Sequence, residues 1–203
     1  MFGPLLRGNM PQLGQNDNNM FIRVAALPFL FLLQAYSTPD TKGIYKTPED
    51  FAQHHLSFEA PASSKKVLIR PHELMAAPDI TVLAEGQKYY FLKVELFGYR
   101  DGNKDYRFFN NEAYEILDTT GFYIYAHSGF EKGKGSAVIT KYYFSVNGSE
   151  SLQELTIQNL KAAFPQKARF RYDLDAQFSS DKKLLTYDNE SKCYKLKYLF
   201  LND

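Results

Sequence analysis

The segment Lys88-Tyr89-Tyr90-Phe91-Leu92-Lys93-Val94-Glu95-Leu96 is followed by the turn Asp101-Gly102-Asn103 and then by Asp105-Tyr106-Arg107-Phe108-Phe109. In the first run Tyr90, Leu92, Val94 and Leu96 make one apolar face, while Tyr89, Phe91, Lys93 and Glu95 make a mixed one. A period of two is that of a half-buried β-strand. Gly and Asn between two such runs supply the positive φ that a tight hairpin needs. Working outward, 66–70, 80–84, 105–109, 113–117, 121–126 and 137–146 read as further strands. Glu85-Gly86-Gln87 and Thr119-Thr120-Gly121 separate some of them. Short strands with tight turns predict an antiparallel meander, not a parallel sheet with crossover helices.

Helical signals flank this region. Thr47 caps a short helix over about 48–54, with Pro48 at the first helical position. Thr156 caps another that ends before Pro165. A third, about 166–178, puts Phe170, Leu174 and Phe178 on one stripe, and Asp181 is placed to cap one more. In the last run Tyr194, Leu196, Tyr198 and Phe200 alternate with Cys193, Lys195 and Lys197, which reads as a closing strand with helix as the alternative. The expected class is α+β: an antiparallel β-meander or small barrel-like sheet with C-terminal helices. Residues 66–203 form its single domain, and 38–65 form an extended segment carrying the short helix.

The N-terminus gives the strongest functional signal. Met20-Phe21-Ile22-Arg23 precedes the apolar run 24–33, and Gln34-Ala35-Tyr36-Ser37 supplies a small-x-small site. This reads as an export signal over 20–37 within a leader of 1–37, cleaved after Ser37. The run is ten residues long, against the roughly 20 that span a bilayer. No transmembrane span is therefore expected after cleavage. Met20 is read as the start, with residues 1–19 upstream of it. The expected location is periplasm, cell envelope or outside the cell.

Composition narrows the chemistry. The 203 residues hold 24 Lys+Arg and 23 Asp+Glu. The leader removes Arg7, Arg23 and Asp17, leaving 22 cations and 22 anions. Such a balance gives no general field for nucleic acid, and none is expected as a partner. Cys193 is the one cysteine, so the fold rests on its core with no internal disulfide. The run Gly129-Phe130-Glu131-Lys132-Gly133-Lys134-Gly135 is one residue short of a phosphate loop and leads into a strand where a helix is needed. His72-Glu73 begins like a zinc-protease helix, but Ala76 stands where the second histidine belongs. His54 and His55 are adjacent and diverge, and His127 is isolated. Asp173 and Asp175 face apart on a helix. Asp101, Asn103 and Asp105 share calcium-loop spacing, but Tyr106 occupies the glycine position. No metal and no cofactor is expected.

Aromatic content is the remaining feature, with 17 Phe and 15 Tyr but no Trp. Tyr rings have an apolar body and a polar tip, so a row of them makes a sugar- or peptide-binding surface. Tyr89, Tyr106, Tyr123, Tyr125 and Tyr142 are the candidate ligand-binding residues, with the Gly133–Gly135 loop beside them. The alternative is that these tyrosines simply cover a half-buried sheet.

The segments Gly43-Ile44-Tyr45-Lys46-Thr47-Pro48-Glu49-Asp50-Phe51 and 98–109, with Tyr114-Glu115-Ile116-Leu117, resemble a group of uncharacterised exported proteins of Bacteroidota. Residues 156–178 are similar to that group's helical tail, and the resemblance spans most of 43–200. It implies a bacterial envelope or secreted setting and carries no known catalytic residues. The expected function is that of an exported, non-enzymatic protein binding a ligand, an envelope protein or a glycan through its β surface. The alternatives are a small periplasmic enzyme with an unidentified site and a structural subunit of an envelope complex.

Overall fold

The computed structural model describes residues 40–72, 77–130 and 138–203, all within one compact unit. The leader, Glu73 to Ala76 and the Gly133–Gly135 loop lie outside them. In chain order the elements are β1 (Thr41–Tyr45), α1 (Pro48–Ala52), β2 (Ser57–Pro61), β3 (Val67–Arg70), β4 (Asp79–Ala84), β5 (Gln87–Leu92), β6 (Gly98–Gly102), β7 (Lys104–Phe109), β8 (Glu112–Asp118), β9 (Tyr123–Phe130), β10 (Val138–Ser145), β11 (Gln153–Glu154), α2 (Ile157–Ala163), α3 (Ala168–Gln177), β12 (Tyr187–Asp188), β13 (Cys193–Tyr194) and α4 (Lys195–Leu201).

The expected α+β meander is present. The large sheet runs β11-β10-β9-β8-β7-β6-β1-β2, antiparallel throughout. Because β11 and β2 lie at its two edges, it is open and not a closed barrel. A smaller sheet, β3-β4-β5, is also antiparallel. The hairpins follow from turn chemistry. Gly102 has φ +66° between β6 and β7, and Glu85-Gly86 and Asn110-Asn111 have positive φ at both positions, as two-residue type I′ turns require.

Register fixes two faces, since directly paired residues share one. Ile44, Tyr99, Tyr106, Phe108, Ile124 and Phe144 point one way; Tyr45, Arg100, Asp105, Arg107, Tyr114, Tyr125 and Ser145 point the other. The first face carries two cores. At its β1–β6–β7 end Ile44, Tyr99 and Phe108 pack on Val67, Ile80 and Val82 of the smaller sheet. At its β9–β10 end Ile124 and Phe144 pack on helical residues Leu160, Phe164, Phe170, Leu174 and Phe200. Phe200 is the hub, 4.8–5.2 Å from the rings of Phe122, Phe164 and Phe170. On the second face Tyr45 packs with Phe51 of α1, Leu56 and Phe97. Gly98 is required by geometry: a Cβ there would stand 1.8 Å from the Tyr106 carbonyl oxygen.

The caps expected at Thr47 and Thr156 form, accepting from the Asp50 and Asn159 amides. Five expectations change. In β5 the inward face is Tyr89 and Phe91, opposite Val82 and Ile80, while Tyr90 is 64% and Val94 85% exposed. The strand ends at Leu92, and Lys93–Glu95 form a short 3-10 turn. From Lys195 the final run is helix α4, burying Leu196, Lys197 and Phe200, three positions that share a face on a helix but not on an alternating strand. Asp181 caps α2 from a distance, accepting from the Ile157 amide at 2.8 Å. The stretch expected to lead into the domain supplies β1 and β2, with β1 inside the large sheet.

Candidate functional site

On the second face of the large sheet two arginines point the same way. Arg100 sits opposite Asp105, and Arg107 sits opposite Gly98. The cross-strand carboxylate therefore goes to Arg100, which donates Nε to Oδ1 at 2.7 Å and Nη2 to Oδ2 at 2.6 Å. Tyr45 adds an O–H donated to the same carboxylate at 2.8 Å. Burial and the Asp105 charge push the Tyr45 phenol well above its ordinary value.

Arg107 is as deeply placed, at 6% exposure, but its partners are neutral. Nη1 donates to Tyr125 Oη (3.0 Å) and Ser145 Oγ (3.3 Å), and Nη2 donates to the Glu150 carbonyl (2.8 Å). The guanidinium stacks over the Phe97 and Tyr125 rings, 5.7 Å from each centroid. Burial holds the Tyr125 phenol above its ordinary value in spite of Arg107. Ser145 in turn donates to the Asn147 carbonyl at 2.6 Å, and Asn147 Oδ1 accepts the Ser149 and Glu150 amides. Arg107 thus ties the 146–151 loop to the sheet.

That loop forms one wall of a cleft of about 600 Å³. Lys46 and Pro48, the 93–97 turn, Arg107 and the Asn110-Asn111 hairpin complete its lining. Lys93 is 1% exposed, with Nζ donating to the Asn111 carbonyl at 2.8 Å and lying 5.6 Å from the Phe108 ring. Lys46 is exposed at the rim, as is Glu95, the one carboxylate of the lining. The charged side chains of the lining are thus three cations and one carboxylate.

The tyrosines expected to form a binding surface are dispersed. Tyr89 packs inward on Phe58 at 4.9 Å, and Tyr106 stacks on Tyr99 at 4.7 Å. Tyr142 is 41% exposed on the first face of the large sheet. Tyr123 and Tyr125 lie on its second face with ring centroids 6.1 Å apart. Tyr125 is fully buried, its hydroxyl bonded to Arg107 and Ser145. Tyr123 lies nearer the cleft: a Cβ on Gly148 would stand 3.5 Å from its hydroxyl. The five make no single platform.

The histidines are also apart. His55 Nδ1 lies 3.2 Å from Asp50 Oδ1, and His72 Nε2 lies 3.1 Å from Thr81 Oγ1. His127 Nδ1 is 3.1 Å from the Ala113 carbonyl oxygen, leaving Nε2 3.5 Å from Glu112. Tyr114 donates to that same Glu112 at 3.2 Å. Asp175 pairs with Lys161 and Asp173 with Arg169. Asp105, from the calcium-like spacing, is committed to Arg100. Cys193 is half-buried, its thiol donating to Ser191 Oγ at 3.3 Å. Among the described residues no group of three or more His, Cys, Asp or Glu side chains is arranged to hold a metal.

Sequence reasoning passed over Arg107 and Lys93. The available signal was a cation within the aromatic run Tyr106-Arg107-Phe108-Phe109, where a buried strand position carries a charge. No protein-family model, curated protein or solved structure matches the chain. Among the described residues no helix is long and apolar enough to cross a membrane.

Proposed function

We propose that this is an exported, non-enzymatic binding protein whose ligand or envelope partner docks at the β6–β8 end of the large sheet, in the cleft beside Arg107. One observation carries this reading: a cleft of about 600 Å³ walled by a deeply placed arginine and a buried lysine. That volume lies within the roughly 300–1,000 Å³ typical of small-ligand sites. Export is supported by the 20–37 signal, and the resemblance to exported proteins of Bacteroidota agrees with it.

Two measurements test the proposal. N-terminal sequencing of the protein recovered from the envelope or medium should begin at Thr38; a mature chain that keeps Gly8 to Asn19 would contradict the export signal. Envelope extract passed over the immobilised full chain should leave a bound species, identified by mass spectrometry, that a Lys46→Glu/Arg107→Met variant does not retain. Equal retention by both proteins would remove the cleft from the function.

A further inference from the structure

The cleft beside Arg107 has an unbalanced charge distribution. Its lining holds Lys46, Lys93 and Arg107 against the single carboxylate of Glu95. Two of the cations are almost wholly buried, whereas Glu95 is exposed on the rim. Among the described residues no carboxylate lies within 4 Å of the Arg107 guanidinium. Its three hydrogen bonds go to a phenol, a hydroxyl and a backbone carbonyl. A buried cation without a counter-charge carries a large desolvation cost. Neutral acceptors offset only part of that cost. The register explains the arrangement: Arg107 lies between Gly98 and Tyr114 on its two neighbouring strands, and neither offers a carboxylate.

The guanidinium has five N–H donors, and these bonds use three, leaving Nε–H without a partner among the described residues. A concave site with low-dielectric walls focuses positive potential on whatever enters it. The planar fork of arginine matches the oxygens of a carboxylate or phosphate. The cleft also has apolar surface. Val94, at 85% exposure the most exposed large apolar side chain among the described residues, stands on its lining with Phe109.

The geometry points to a small organic oxyanion as the ligand: a carboxylate or phosphate head that meets the Arg107 guanidinium, on an apolar body that covers Val94 and Phe109. This rests on the cleft being the binding site, as proposed above.

The test is a titration of the isotope-labelled full chain, followed by backbone amide shifts at fixed ionic strength in sodium chloride. The probes are benzoate, phenyl phosphate and benzyl alcohol, which share one apolar body and differ in the head. Expected are saturable shifts at Val94 to Phe97, Asn110, Asn111 and Ser149 to Ser151 with benzoate or phenyl phosphate. The better anion, which identifies the head, should bind about tenfold or more tightly than benzyl alcohol, the scale of one charge-assisted contact. Lys46→Gln, exposed and harmless to folding, should weaken that anion about two- to threefold and leave benzyl alcohol unchanged. Benzyl alcohol binding in the cleft as tightly as both anions would overturn the oxyanion and keep the cleft. Shifts scattered over surface lysines without saturation would mean adventitious ion binding only, and would overturn it too. No response to any of the three probes would overturn the oxyanion and count against the cleft itself, which the retention experiment tests separately.

Discussion

Arg100 and Arg107 lie on adjacent strands, point from the same face of the sheet and are buried to nearly the same degree. Their surroundings differ in one respect. Arg100 has a bidentate carboxylate with a tyrosine behind it. Arg107 has two hydroxyls, a carbonyl and a cleft. The first arrangement is complete within the fold. The second leaves a guanidinium with no carboxylate partner among the described residues. A buried cation with its carboxylate reads as architecture, and one without it, on the wall of a cavity, reads as a site. Lys197 stands between them: 1% exposed, it donates to the Thr120 and Phe122 carbonyls and lies 3.5 Å from Asp118.

The contrast fails if the two arginines respond alike to the loss of their partners. Asp105→Ala should show the largest effect, about 3–5 kcal/mol lost in urea denaturation, because it strands the Arg100 charge. The titration of Lys197 comes next. Burial holds its ammonium down to about 8 from 10.5. Between those pH values the unfolded chain keeps a proton that the folded chain has released, so stability rises with pH through this window. Wild type should therefore gain on the order of 2 kcal/mol relative to Lys197→Met from pH 8 to 10.5. A flat difference would mean that Asp118 fully compensates this lysine, as Asp105 does Arg100.

Arg107→Met should cost less, about 1–2 kcal/mol, since the lost hydrogen bonds are offset by removing an uncompensated ion. A loss as large as that of Asp105→Ala would erase the contrast. The smallest effect is on ligand-linked stability. At tenfold over its Kd, the better of the two anionic probes should raise wild-type stability by about 1.4 kcal/mol and leave Arg107→Met unmoved. An equal rise in both proteins would place the anion elsewhere.

Much of the fold was legible because its signals are local. Gly102 and Glu85-Gly86 marked their turns, and Thr156, Phe170, Leu174 and Phe178 marked α2 and α3. In β5 both faces are apolar enough, so periodicity alone could not choose between Tyr90-Leu92 and Tyr89-Phe91. Pairing with Ile80 and Val82 made that choice. At the C-terminus Leu196 and Phe200 suit a strand or a helix, and contact with Phe122 decided for helix. The site was illegible for a related reason. The partners of Arg107 lie 18, 38 and 43 residues further along the chain. Nothing near Arg107 in sequence shows that no carboxylate of the described residues meets it.

The most direct measurement compares the side-chain Nε–H resonances of Arg107 and Arg100 in one sample during a titration with phenyl phosphate at constant ionic strength. Arg100 Nε is already bonded to Asp105 and serves as the internal reference. The expected result is a saturable downfield shift of Arg107 Nε–H with Arg100 Nε–H fixed, weakened in Lys46→Glu. A stationary Arg107 signal, or parallel drift of both signals, would contradict an anion-binding cleft.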